Sequence, residues 1–328
     1  MEASARLGLT PNILEKDYWV SWVLSQIYSD PEFSWGLVFK GGSALAMAFD
    51  AIARFSEDVD LAVPPSVLGF ADQELTAAMN PTRRNKLNNT VEQACVDYLI
   101  KTFMPQLEHQ LQIQLGARDS HVPWLVFDTG NARVPPSVLF RYPTVFSEGA
   151  LGQDTSIKLE LGAGFDQAPA SRRHLRSLLG RALPELEAEE GGSVLTLEIG
   201  RTFWEKAMIL HSEFHRPAEL PMPFRHARHY SDFANLWSHD CRASASRDLE
   251  LLGRVREHQL TFFPRAWASH ATATPGSFHL LPPDSRMGAL RQDYDRLRTM
   301  FMAPPMPFAV LIQQLQEAER ELNRVSEL

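Results

Sequence analysis

Asp58 and Asp60 stand one residue apart, with Val59 between them and Leu61 after. Successive side chains of a strand point to opposite faces, so both carboxylates would project together while Val59 and Leu61 turn to a core. Two aligned carboxylates repel unless a cation lies between them, and hard oxygen ligands suit magnesium. Upstream, the apolar run Leu37-Val38-Phe39 leads through Lys40 into Gly41-Gly42-Ser43. That order reads as a strand, a tight turn and a short helix from Ala44 to Asp50. The first N–H groups and the hydroxyl of such a turn suit an anion such as phosphate. The stretch from Lys40 to Leu61 therefore implies a magnesium–triphosphate site. Each half has a plainer explanation alone: a Gly-Gly pair is commonly only a turn, and an Asp-x-Asp pair a solvated strand edge or a capping pair. Joined in one strand–turn–helix–loop–strand unit, with Ser56 just ahead of the acids, they are far more specific.

The chain has 328 residues, 44% of them hydrophobic, which is enough for one large domain or two ordinary ones. A formal net charge of -8 argues against broad, non-specific nucleic-acid binding but leaves room for a local basic patch. Cys95 and Cys241 lie too far apart in sequence to suggest zinc ligation or a disulfide framework. Met1 to Thr10 lacks the basic-then-apolar order of a signal peptide, and no apolar run is long enough to span a membrane. The expectation is a cytoplasmic protein.

Thr10-Pro11 opens a helix carrying Ile13, Val20, Val23, Leu24 and Ile27 to about Tyr28, with Glu15, Lys16 and Asp17 as its solvated face. Leu37 to Lys40 is the first strand. Asp72 to His109 reads as helical and locally basic, while Leu111 to Leu115, Pro123 to Phe127 and Ser137 to Arg141 read as strands. In Thr155 to Leu161, Ile157, Leu159 and Leu161 share one face and Lys158 and Glu160 the other. Ser171 to Arg181 reads as a basic helix whose four arginines face either RNA phosphates or the nearby glutamates 185, 187, 189 and 190. Val194 to Ile199 is a further strand. From Arg201 the chain turns mainly helical, through 246–262, 285–301 and 307–328. His211 and His215 have zinc-ligand spacing, but no third ligand follows and the hydrolase motif is absent, so both are read as structural or RNA-facing.

The motifs together resemble the signature of the DNA polymerase β-type nucleotidyltransferases: Gly-Ser on a turn, about a dozen residues, then Asp-x-Asp. Three words are similar to one branch, the AbiEii/AbiGii toxins of bacterial toxin–antitoxin and phage-defence systems. They are Glu15-Lys16-Asp17-Tyr18-Trp19, Phe39-Lys40-Gly41-Gly42-Ser43-Ala44-Leu45 and Arg54-Phe55-Ser56-Glu57-Asp58-Val59-Asp60-Leu61. The likeness is densest over the first sixty or so residues. It implies an α/β (α+β) nucleotidyltransferase-type mixed sheet flanked by helices, in residues 1–200. A mainly helical C-terminal region, 201–328, would complete the active site.

The resemblance also distributes roles. It places Lys16 and Asp17 near the site. It asks for a third carboxylate on a neighbouring strand, which makes Glu160 the third metal ligand beside Asp58 and Asp60, with Lys158 neutralising the acidic cluster. Arg201 to His211 resembles the family's second motif, where Lys206 would reach the nucleotide phosphates and offset developing charge. Arg225 to Leu236 is similar to the last motif, arginine–aspartate–x–x–aspartate; His229 replaces its first acid and Asp232 keeps the second. Gly42 and Ser43 would cradle the triphosphate and Ser56 support it. The implied activity is magnesium-dependent nucleotidyl transfer from an NTP, with two metals clamping the attacking and leaving oxygens. The expected acceptor is the 3′ end of tRNA, and a cognate antitoxin is the expected partner. Transfer to a small molecule or protein, or an idle nucleotide-binding module, are the rival readings.

Overall fold

The computed structural model describes residues 2–70, 80–118, 122–130, 136–146, 155–163, 166–184 and 192–324. They fall into two units. The first comprises the described residues of 1–50, 55–74 and 85–197, and the second those of 51–54, 75–84 and 198–328.

The first unit is built on a seven-stranded mixed sheet in the order β3-β4-β5-β2-β1-β7-β6. Its strands are β1 (Val38–Lys40), β2 (Asp58–Val63), β3 (Leu125–Asp128), β4 (Ser137–Arg141), β5 (Ser156–Ala163), β6 (Ala170–His174) and β7 (Ser193–Leu197). β2 runs antiparallel to β1 and parallel to β5, so the acid-bearing strand lies mid-sheet. Its helices are α1 (Glu2–Leu7), α2 (Pro11–Ser29), α3 (Pro31–Ser34), α4 (Gly41–Met47), α5 (Pro81–Tyr98, of which residues from 85 on belong to this unit), α6 (Met104–Leu115) and α7 (Leu178–Ala182), with a π turn, Leu99–Phe103, joining α5 to α6. One sheet face, with Phe39, Val59, Leu61, Ile157 and Leu159, packs fully buried against Val20, Val23, Leu24 and Ile27 of α2 and Leu107 and Leu111 of α6. Val59 and Leu61 thus face the core, as their alternation with the aspartates requires. Burying Val59 and Leu61 at ~1.5–3 kcal/mol each is what holds the β2 register.

Four sequence expectations change. Leu111 to Leu115 is the last turn of α6, not a strand: Leu111 is fully buried while Ile113 is 65% exposed, and Phe103, Leu107 and Leu111 repeat every four residues. A five-residue Leu-Gln-Ile-Gln-Leu run fits a period of two by chance. Ser171 to Arg181 is not one helix but the edge strand β6 followed by a turn and the short α7, which Ser177 caps by accepting from Gly180 N–H. Thr10 takes the extended N-cap conformation before Pro11 but makes no side-chain cap. Finally, Lys16 and Asp17 are buried rather than solvated, and both are bonded within the unit. Residues 71–79, 185–191 and 325–328, on which parts of the helical and acidic readings fall, lie outside the described residues.

The second unit is helical: α8 (Ile199–Phe214), α9 (Ala227–Ser238), α10 (Arg242–Ala245), α11 (Leu249–Phe262), α12 (Asp284–Arg296) and α13 (Phe308–Arg324). α8 packs on α9 through Phe203, whose ring centroid lies 5.0 Å from Phe233 and 5.1 Å from Trp204. Ala51–Arg54, between α4 and β2 in sequence, belongs to this unit and pairs there through the bridge Arg54↔Phe301. No described helix is long and apolar enough to cross a membrane. Truncating Phe203 to alanine should destabilise the fold by about 3–5 kcal/mol, read by denaturant unfolding, because the ring is wholly buried among aromatics.

Candidate active site

Strand registry assembles a charged face on the sheet of the first unit. Asp58 pairs with Lys158 and Asp60 with Glu160 across the parallel β2–β5 ladder, and Lys40 pairs with Asp60 across the antiparallel β1–β2 ladder. Residues in register share a face, so Asp58, Asp60, Glu160, Lys158 and Lys40 all stand on the side opposite the hydrophobic core. All five are partly buried. Lys158 Nζ donates to Glu160 Oε1 at 2.5 Å. Three acids and two lysines within two registry steps leave one net negative charge.

Gly41 has a φ of +79°, a conformation that costs a residue with a Cβ, and a Cβ placed there would run into the carboxylate of Asp60. The turn into α4 therefore lies directly against Asp60. Gly42 and Ser43 form the first turn of that helix. Ser43 is fully buried, and its hydroxyl donates to the carbonyl oxygens of Ser56, at 3.2 Å, and Asp58. A hydroxyl has one proton to give, so this side chain ties α4 to the entry of β2. Ser56 contributes through its backbone carbonyl. Lys16 of α2 donates to Glu57 Oε2 at 2.8 Å, next to Asp58, and Asp17 accepts from the N–H of Leu178 at 2.5 Å. Lys40 is the residue of this face to which the sequence alone assigns no role. Its signal is its place at the strand end, which points it to the side of the acids once the register is known.

Two hard carboxylates on one face match the donor preference of a divalent cation. The third acid, Glu160, is on the same face but bonded to Lys158. Among the described residues no group of three or more His, Cys, Asp or Glu is gathered closely enough to hold a metal ion. The donor chemistry thus fits a divalent ion at Asp58 and Asp60, and Glu160 keeps Oε2 to offer while Oε1 accepts from Lys158.

Lys206 and Asp232 meet in the second unit. Asp232 is wholly buried and accepts from Arg54 Nε at 2.7 Å, Arg54 Nη2 at 2.8 Å and Lys206 Nζ at 2.7 Å. Burial alone would raise the Asp232 pKa, but Arg54 and Lys206 outweigh it and hold the carboxyl well below the usual range. Lys206 moves the other way from a simple ion-pair partner. Its pKa is lowered because burial, aided by the charges of Arg54 and Arg228, outweighs the attraction of Asp232. Lys206 also lies 3.1 Å from Nδ1 of His229. An ammonium only donates, so Nδ1 accepts and His229 is the neutral tautomer with its proton on Nε2; burial and then Lys206 push its pKa well below normal. The histidine that replaces the motif's first acid therefore adds no negative charge. Arg54 opens the third motif word without a role that the sequence could give it; only the fold joins it to Asp232, 178 residues on.

Both ring nitrogens of His211 are engaged within the second unit. Its Nδ1 accepts from the N–H of His279 at 3.2 Å, and its Nε2 lies 3.2 Å from Ser269 O and 3.1 Å from Thr272 Oγ1. Burial, with His215 beside it, lowers its pKa to about 4.

The Asp232 cluster generates a stability prediction. A carboxyl whose folded pKa is depressed contributes stability that is full above the unfolded value of about 4 and is lost as pH falls below it. Asp232→Asn should cost about 3–5 kcal/mol at pH 7, since it strands two buried cations. The gap between wild type and variant should narrow between about pH 4 and pH 2 in urea unfolding.

A family model described as nucleotidyl transferase AbiEii toxin, type IV TA system, matches residues 22–318. Among solved structures, MenT4, the nucleotidyltransferase toxin Rv2826c from Mycobacterium tuberculosis H37Rv, is 16% identical. That match covers 98% of this chain and 96% of that one with a TM-score of 0.43, a loose likeness on which nothing further rests. No curated protein sequence matches the chain. With nine-tenths of its length matched by the family, the chain belongs to the AbiEii nucleotidyl transferase toxins of type IV toxin–antitoxin systems and is a nucleotidyltransferase.

Proposed function

We propose that the chain transfers a nucleotide from an NTP to the 3′ end of a tRNA, in a magnesium-dependent reaction, as a toxin active in the cytoplasm and in phage defence. The observation that carries this reading is the pair Asp58 and Asp60 on one face of β2, with the Gly41 turn packed against Asp60. Asp58 and Asp60, joined by Glu160, would hold the magnesium as a two-ion site. Bound there, the metal would neutralise phosphate charge and favour in-line displacement.

The chain's own residues supply the rest. The acceptor's 3′ oxygen attacks the α-phosphorus of the NTP, a P–O bond forms there, and the bond to pyrophosphate breaks. The hydroxyl proton passes to a carboxylate of the β2–β5 face, Asp58 or Glu160. Lys40, in register with Asp60, lends fixed positive charge to the same face. Gly42 and Ser43 lend the first turn of α4 to the triphosphate, and Ser56 orders the loop that Ser43 grips. Lys206 offsets charge on the phosphates, and Asp232, with Arg54, positions Lys206 rather than touching the substrate. A cognate antitoxin belongs to the system that the family defines.

The test is incubation with magnesium, total tRNA and each α-labelled NTP in turn. Wild type should label tRNA with one preferred nucleotide, and chelation by EDTA should abolish labelling. Asp58→Asn/Asp60→Asn should lower it by at least about a hundredfold with the unfolding curve intact. Label in protein or in a small molecule, with none in RNA, would overturn the acceptor and leave the transfer chemistry standing. Lys206→Ala that left the rate unchanged would remove that lysine from catalysis.

A further inference from the structure

We propose that a cavity in the second unit, lined by Glu213 and His226, holds the nucleobase of the incoming NTP and selects one that bears an exocyclic amine. This inference rests on the reading of Lys206 as the lysine that meets the nucleotide phosphates, and it names the choice among NTPs which that reading leaves open.

The cavity has a volume of about 260 Å³ and lies between α8, α11, the residue before α9 and the turn that follows α11. Ile209, Trp267 and Ala268 give it apolar walls, and Glu213, His226 and Gln259 give it polar ones. Pockets for drug-sized ligands start at about 300 Å³, so this one suits a single heteroaromatic ring system.

Glu213 is 1% exposed. Its Oε2 accepts from Arg216 Nε at 2.6 Å, whereas Oε1 faces Arg286 Nη1 at 3.6 Å, too long for a hydrogen bond. His226 stands beside it, with Nε2 3.3 Å from Glu213 Oε2. Among the described residues, neither Glu213 Oε1 nor His226 Nε2 has a hydrogen-bond partner, although both atoms are buried. Arg216 and Arg286 would account for a structural carboxylate. They do not account for two adjacent side chains, each with an unmet polar atom, on the wall of one cavity. Burial raises the Glu213 pKa in spite of both arginines, and burial, with Arg216 nearby, lowers that of His226 to about 3. His226 is therefore neutral at pH 7, and the carboxylate gains from one more donor. A planar edge with an amino group answers Oε1, and the ring nitrogen next to that group answers His226 Nε2. Adenine, guanine and cytosine carry such an edge; uracil has no amino group.

A line of contacts joins this cavity to the phosphate-facing lysine. Lys206 Nζ lies 3.1 Å from His229 Nδ1, the His229 and His226 ring centroids are 4.9 Å apart, and His226 meets Glu213. On α8, Lys206 and Glu213 are two turns apart on one face, a rise of about 10 Å. That is close to the reach of an extended nucleotide from its phosphates to its base.

The experiment is equilibrium binding of each NTP, and of inorganic tripolyphosphate, to the full chain with magnesium, followed by labelling of total tRNA. It compares wild type with Glu213→Gln, which keeps the side chain's shape, and Ile209→Trp, which fills the cavity and leaves the carboxylate in place. Each is checked for an unchanged unfolding midpoint, and if Glu213→Gln does not fold, Ile209→Trp decides. Wild type should bind one amino-bearing NTP at least about tenfold more tightly than UTP, and the analogue with hydrogen in place of the amine should lose as much. In both variants that preference should collapse while tripolyphosphate binding stays unchanged. A preference for UTP would overturn the pocket. Ile209→Trp that kept the wild-type preference and labelled tRNA with the same nucleotide would overturn it and leave the transfer reading intact. Variants that kept the NTP choice but changed which RNA is labelled would overturn it in favour of a base of the acceptor. Wild type that binds no NTP and labels no RNA would overturn both readings.

Discussion

Everything in the first unit depends on keeping like charges adjacent on β2 without letting them push the strand out of the sheet. Asp58 and Asp60 repel, and the restoring force is hydrophobic: Val59 and Leu61 are wholly buried on the opposite face against α2 and the rest of the core. A one-residue slip would bury both acids and expose both apolar side chains, a loss of several kcal/mol that no surface interaction repays. The register is therefore fixed, and both acids stay on the face opposite the core. The residual repulsion is countered by Lys40 and Lys158, which β1 and β5 bring into the same rows.

A second constraint is steric. The turn into α4 touches Asp60 so closely that only glycine fits at position 41, and a buried serine hydroxyl pins the same helix to the entry of β2. Helix start and acidic strand are thereby one rigid piece, as a site that works by positioning requires. The helical unit solves a different electrostatic problem. Asp232 carries two cations, so the buried cluster has an excess positive charge. That excess adds to burial in lowering the pKa of Lys206 and keeps His229 neutral. Such a lysine is poised to gain from any incoming anion, because an anion relieves its desolvation.

The legible parts of this chain are those with local periodicity. The two-residue alternation of Asp58 to Leu61 and of Ile157 to Leu161 predicts strands and faces that the structure contains, and Pro11 marks the start of α2. Sequence misleads where local pattern is ambiguous or where long-range contacts decide burial. Leu111 to Leu115 alternates yet is helical because Phe103, Leu107 and Leu111 already face a core. Lys16 and Asp17 look like a solvated helix face, yet partners 41 and 161 residues away bury them.

The sequence by itself determined the chemistry available: paired carboxylates, a glycine–serine turn, and motif words specific enough to indicate the nucleotidyltransferase toxin family. Those features are encoded within a dozen or so residues, where backbone geometry alone relates the side chains. Only the tertiary structure decided which distant charges answer them. That Lys158 takes Glu160, that Lys40 faces Asp60, and that Arg54 shares Asp232 with Lys206 all follow from strand order and helix packing. Those choices rest on burial summed over the whole core, and no local segment contains them.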